Sequence, residues 1–446
     1  MSKLAKGPLE FPIVGSFFEL RKNPPYFFTQ LAHEYGSVAA FTVFGRKAYL
    51  LSDPELIKEV LVNQPKNFRK SRGLQLAKAL LGDGLLTSEG NLHKTQRKLA
   101  APAFAKNRLQ TYGEEMIRLA YEHAEKISAG SQIDFNDRMM KLTLAIVNKT
   151  LFNADVSDDA DEVALALEIV LNNMDRILNP FTEILNKLPV PSTLRLQKAQ
   201  NILDRIIYRI IAERRATPGD RGDLLSIFLS AQNDEQGRAA AMSDKQIRDE
   251  CITLFIAGHE TTANALSWIF YLLAKHPTIL QAAQDEIQVV TQGQPLTVND
   301  LSKLTLISNI FYEALRLYPP AWTISREALV DVTLGDYQIS AGSTVVMSQW
   351  VMHRHQQYWE TPEIFDPARF NAESDRPKFA YFPFGGGVRQ CIGDQFAWTE
   401  GVLLTAVFLQ KFTPALISPN YTAEINPMIT LRPKDGLPLI MKSSGN

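Results

Sequence analysis

Apolar positions in this chain recur mainly at intervals of three and four, the spacing of helices that bury one face. From about residue 95 to 290 that rhythm dominates, in helix-length segments separated by short polar breaks. Near the start, Asn23-Pro24-Pro25 introduces an amphipathic stretch from Tyr26 to Tyr35 with Phe27, Phe28 and Leu31 on one face. Asp53-Pro54-Glu55 opens another helix, with a capping carboxylate followed by proline at the first helical position. Ser243-Asp244-Lys245-Gln246 reads as a capping box. Two tracts break the rhythm. Ser37 to Ser52 is rich in β-formers around Phe44-Gly45-Arg46-Lys47, which reads as a hairpin turn. Arg326 to Val346 is a second β-like tract, punctuated by Gly335-Asp336 and Ala341-Gly342. Helix returns at Asp394 to Phe412. The pattern predicts a mainly α fold with minor β, in one large domain spanning residues 1–446.

Charge narrows the function classes. The chain carries 47 Lys and Arg against 48 Asp and Glu, a net charge of −1, without the basic excess of a nucleic-acid-binding domain. With 45% hydrophobic and 21% charged residues it can bury a large core. Two cysteines, Cys251 and Cys391, fit a reduced compartment better than a disulfide scaffold. No secretory leader is readable in the first twenty residues, and Leu266 to Ala274, the most apolar run, is far below the ~20 residues of a membrane span. The expectation is a soluble, cytoplasmic protein with no transmembrane anchor and no nucleic-acid partner.

The most informative stretch is Phe384-Gly385-Gly386-Gly387-Val388-Arg389-Gln390-Cys391-Ile392-Gly393. Its glycines let backbone approach a flat, bulky group closely. A helix starting just after Cys391 favours thiolate over thiol through its positive end. Arg389, two residues upstream, can reach a carboxylate. A thiolate on such a loop with an anion clamp suits a haem iron with propionates.

The string Phe384-x-x-Gly387-x-Arg389-x-Cys391-x-Gly393 resembles the haem-binding signature of the cytochrome P450 family, with every fixed position filled. Three further stretches resemble that family in order. Glu313-Ala314-Leu315-Arg316 matches the Glu-x-x-Arg pair of its K helix. Phe365-Asp366-Pro367-Ala368-Arg369-Phe370 resembles the segment that supplies a third partner, Arg369. Ala257-Gly258-His259-Glu260-Thr261-Thr262 resembles the oxygen-activating part of its long I helix.

The resemblance implies a haem-thiolate monooxygenase of the soluble bacterial type, with haem b bound through Cys391. Propionate contacts carry over to Arg97, Arg326 and Arg389. The family's usual Trp four residues before the first of these is His93 here, whose N–H can donate as an indole does. Ala257 and Gly258 are implied to leave room for bound O2. Thr261 and Glu260 are implied to deliver protons to it. The Glu313–Arg316–Arg369 network is implied to be structural, bracing the loop of Cys391. Cys251 reads as packing, and His353 and His355 as solvated or packing residues. Apolar loop positions, with Trp322 the largest, favour a small lipophilic substrate such as a fatty acid or terpenoid. No reductase domain is fused, so a separate ferredoxin or flavodoxin with its reductase is the implied electron source. The alternatives are a peroxide-driven peroxygenase or isomerase on the same fold, and a non-catalytic haem sensor.

Overall fold

The computed structural model describes residues 3–153, 160–174, 188, 190–217, 219–230, 242–371 and 375–444. Helices dominate, as the apolar spacing predicts, and the caps read from sequence form. Asn23 accepts the Tyr26 N–H at 3.2 Å, opening the helix Pro24–Tyr35. The Asp53 carboxylate accepts the Glu55 and Leu56 N–H groups at 2.8 and 3.2 Å. Ser243 and Gln246 satisfy each other's backbone in a full capping box. That box opens a 32-residue helix, Asp244–Lys275, called here the long helix.

Residue contacts cluster the chain into two compact units, each assembled from three segments. The first comprises Met1–Gln75, Tyr312–Cys391 and Ile425–Arg432. Its centre is a five-stranded sheet ordered Val38–Val43, Arg46–Leu51, Thr344–Met347, Ile324–Ala328, Phe68–Lys70. The first two strands form the expected hairpin around Phe44-Gly45, with Val38 opposite Leu51. Arg46–Leu51 then pairs in parallel with Thr344–Met347. Both faces of the sheet are covered. Leu50 and Val346 pack with Phe27, Phe28 and Trp322, whereas Leu51 and Met347 pack with Ile57, Val60 and Phe382. Burial on both sides explains why Ala48 to Leu51 reads as a continuous apolar run and does not alternate.

The second unit comprises Leu76–Phe311, Ile392–Glu424 and Pro433–Asn446. Within it the long helix packs along Phe135–Leu151 and against Asp394–Lys411. Phe135 stacks on Phe270 with centroids 4.3 Å apart and meets Phe408 edge-on at 5.8 Å. Such pairs add ~0.5–1.5 kcal/mol each beyond the area they bury. A three-stranded sheet of Ser131–Asp134, Pro438–Ser443 and Phe412–Leu416 completes the unit. Among the described residues, no helix is long and apolar enough to cross a membrane.

Candidate active site

In the first unit, the loop of Cys391 is closed by its own backbone. The Cys391 N–H donates to the Phe384 carbonyl at 2.9 Å, and the thiol is exposed. Gly387 has φ +67°, in the left-handed region, and a Cβ there would stand 1.9 Å from the Leu61 carbonyl oxygen. Only glycine satisfies both demands at this position. Leu61 itself belongs to a π-helical turn, Glu59–Asn63, which brings that carbonyl against the loop. Phe384 and Arg389 are half-buried.

Behind this loop the structure brings Glu313, Arg316 and Arg369 together. Glu313 and Arg316 are fully buried on the helix Thr305–Leu317 and pair bidentately at 2.7 and 2.8 Å. Arg369 Nε lies 3.4 Å from the Glu313 carboxylate, which also accepts the Asp366 N–H at 2.9 Å. Arg316 spends its remaining donors on the carbonyls of His353, Pro362 and Ile364. Two buried charges are tolerable only when so completely bonded.

His353 extends the network to the cysteine loop. It is fully buried, and its Nε2 accepts the Phe382 N–H at 3.0 Å, two residues before Phe384. Burial holds the ring's pKa well below the ordinary histidine value, and the Arg316 and Arg354 cations add to this. The neutral ring that results is the form able to accept. Sequence spacing had suggested a solvated or packing residue. His-x-His carries no hint of this bond, because its donor lies 29 residues away.

Arg326, half-buried, sits on an inner strand of the sheet, between Val345 and Lys70. Directly opposed strand residues share a face, so two cations stand side by side here. Lys70 is itself buried, which no sequence signal indicated. Trp322, expected at a substrate wall, instead lies in the core. It is stacked on Phe28, and its indole N–H donates to the Met428 carbonyl at 2.8 Å. A large ring with one donor is most stable where that donor finds a carbonyl and the rest finds hydrocarbon.

In the second unit, His93 and Arg97 lie four apart on the helix Gly90–Ala100, hence on one face. His93 is buried and Arg97 half-buried. The long helix is buried along most of its length, yet Ala257 is exposed and Gly258 and Thr261 half-exposed. Ala257 and Thr261 are four apart, so this opening is a single short stripe. The Thr261 hydroxyl donates to the Ala257 carbonyl at 2.7 Å, which leaves its oxygen lone pairs outward. A Cβ on Gly258 would come 2.9 Å from Val147, so its smallness also serves close helix packing.

Glu260 and His259 flank the stripe and are both buried. His259 Nδ1 is 2.5 Å from the Phe255 carbonyl, and burial lowers its pKa to about 4. It is therefore neutral and turned into the helix bundle. Cys251, also buried, has its thiol pKa pushed up by desolvation, which disfavours thiolate. The two cysteines thus differ: Cys391 is exposed on a glycine loop, and Cys251 is buried where thiolate is disfavoured. A group missed in the sequence is Glu400, fully buried on Asp394–Lys411. Burial raises its carboxyl to about 8, partly offset by the neighbouring Thr262 hydroxyl.

The donor set fits a haem. In the first unit an exposed thiol sits on a loop with no room for a Cβ at Gly387, and Arg326 and Lys70 double up for an anion; in the second unit, taken by itself, the opened stripe is small and uncharged. Comparison with known proteins agrees over nearly the whole chain. The family described as Cytochrome P450 matches residues 5–439. Cyclooctatin synthase of Streptomyces melanosporofaciens is 35% identical over 409 residues, 91% of this chain and 88% of the relative. Pentalenene oxygenase of Streptomyces avermitilis is 33% identical, covering 91% and 90%. The chloroplastic carotene epsilon-monooxygenase of Arabidopsis thaliana is 30% identical, covering 91% and 79%.

Proposed function

Since the chain belongs to the cytochrome P450 family and is a haem-thiolate monooxygenase, we propose that it hydroxylates a lipophilic isoprenoid, drawing electrons from a separate ferredoxin or flavodoxin with its reductase. The observation that carries this reading is the open stripe Ala257–Gly258–Thr261 on an otherwise buried helix. It provides small, uncharged surface where O2 and a C–H bond can meet, with one hydroxyl and one carboxylate beside it. Relatives named for pentalenene and carotene, both isoprenoid hydrocarbons, support the substrate class over a fatty acid.

When bound, haem would supply oxygen activation and C–H oxidation, with the Cys391 thiolate as the residue that would hold its iron. The chain's residues do the rest. Cys391 is the thiolate ligand, and Gly387 lets the loop carry it. Arg326 with Lys70, and Arg97, Arg389 and His93, supply cations and donors for two carboxylates. Thr261 offers a hydroxyl that accepts and passes a proton at the stripe, while Glu260 holds the next proton along the chain. Glu313, Arg316, Arg369 and His353 fix the loop by charge and hydrogen bonding and take no part in the chemistry.

The test is coupling. With a ferredoxin system, Thr261→Ala should keep its haem and still consume O2, yet release more hydrogen peroxide per NADPH oxidised. Unchanged coupling would remove Thr261 from proton delivery. Wild-type turnover supported equally by hydrogen peroxide alone would favour the peroxygenase alternative. A binding-spectrum screen of terpenoids against fatty acids settles the substrate class by which group shifts the Soret band.

A further inference from the structure

The long helix carries more chemistry than its open stripe. Glu250, Leu254, Ala257 and Thr261 follow at intervals of four, three and four, and Thr253 stands four before Ala257, so all share one face. Thr253 is one turn, ~6 Å, before Ala257. The backbone of the loop 82–88 lies directly on this face. The Leu85 N–H donates to Glu250 Oε2 at 2.9 Å, and the Asp83 N–H to Asp249 Oδ2 at 2.9 Å. Gly84 is pressed so closely that a Cβ would stand 2.1 Å from Thr253 Oγ1. From the other side, Thr87 Oγ1 bonds the Gly82 and Gly84 carbonyls and Gln96 Nε2 bonds that of Asp83.

Both acids are essentially fully buried. Arg248 and Lys245 match the charge of Asp249 at 2.9 and 2.8 Å, and Arg248 continues to Asp204. Holding a surface loop by two buried carboxylates is an expensive arrangement, because each must be stripped of water. Apolar contact alone would hold the loop down yet let it slide. A charge-assisted N–H bond to each acid fixes its register along the helix.

We infer that Glu250 and Asp249 are positioning residues that pin residues 83–86 on the helix face that continues from the open stripe, with Gly84 one turn before Ala257, making the segment a fixed end wall that limits how long a hydrocarbon the site accepts. The inference rests on the function proposed above, and it concerns specificity. The two acids are spent on backbone N–H groups of the loop. They act through a backbone segment whose two leucines are half-buried.

A series of 1-alkylimidazoles tests this on the haem-loaded protein. The imidazole nitrogen binds iron and shifts the Soret band, and the tail reports the space beyond. Each added CH2 should tighten wild-type binding about fourfold, from ~0.8 kcal/mol per buried methylene, until a limiting tail length ends the gain. Glu250→Ala should move that limit outward by two or more carbons while leaving the affinity of the shortest tails within twofold. Glu250→Gln keeps an acceptor oxygen and should restore the wild-type limit, which a general loss of stability would not do. Leu85→Ala leaves the buried acids untouched and shortens the wall itself, so it should lengthen the limit too. A limit shared by the wild type, Glu250→Ala and Leu85→Ala overturns the inference. It would leave the haem reading standing, because the imidazole shift itself reports the haem.

Discussion

The cysteine loop and the open stripe, which the proposed function joins in one reaction, are built on opposite rules. The loop is over-determined: a bidentate ion pair, a third cation, a neutral histidine and a glycine without room for a Cβ converge behind ten residues. The stripe is made by omission. A helix buried along most of its length is exposed at Ala257 and half-exposed at Gly258 and Thr261. A metal ligand must be held in place before anything binds, whereas a reaction surface must be left clear until something does. Substitutions in the first region should therefore act through folding and haem retention, and those in the second through chemistry.

The largest effect should come from Glu313→Ala. It strands Arg316, fully buried, and Arg369 without their counter-charge, at a cost of ~3–5 kcal/mol. Folded yield and haem content should both collapse in purified protein. Normal melting and normal haem would break the comparison at its strongest point. Gly387→Ala is next. Its methyl meets the Leu61 carbonyl and its φ is unfavourable, together ~1–3 kcal/mol or more. Haem should be retained more weakly, read as faster loss to apomyoglobin.

Glu400 sharpens the contrast through pH. Its folded carboxyl titrates at about 8, against an ordinary value near ~4.3 when unfolded. Between these values the unfolded chain has lost a proton that the folded one keeps, so this group erodes stability as pH rises from about 4 to 8. Glu400→Gln should flatten the fall by up to ~1.4 kcal/mol per pH unit. Melting curves of both proteins from pH 5 to 8.5 check it, and parallel curves would refute it. Smallest in stability should be Thr261→Ala, whose melting should stay within a degree or two of the wild type while its coupling falls. A large drop in melting would mean the stripe is braced after all.

What the sequence disclosed followed the same division. Motifs were legible where chemistry needs particular atoms at fixed spacing, as from Phe384 to Gly393 and at Glu313 with Arg316. Helix caps at Asn23, Asp53 and Ser243 were legible because capping is local. His353 was not, since its value lies in accepting an N–H from Phe382, far along the chain. Lys70, in a run with Arg69 and Arg72, read as a solvated charge because nothing local marks it as buried. Trp322 read as a pocket wall through the family resemblance, and a large aromatic fits either wall or core until packing decides. Glu400 had no polar face to betray it: Phe396, Val402, Leu403 and Leu404 around it are all buried, so the helix lacks a wet side on which an acid would look ordinary. Local pattern carries local chemistry, while burial comes from partners that pattern does not name.

The π-helical turn Glu59–Asn63 has a practical consequence for protein engineering. The carbonyl of Leu61 fills the space beside Gly387, so the segment that carries the sulfur ends against a surface encoded more than three hundred residues earlier. A graft of residues 384–393 into another scaffold would arrive without its floor. Recombination between relatives meets the same barrier: a crossover that takes the cysteine segment from one parent and residues 59–63 from another inherits two halves of a fitted joint. Chimeras with both segments from a single parent should load haem far more often than those that split them.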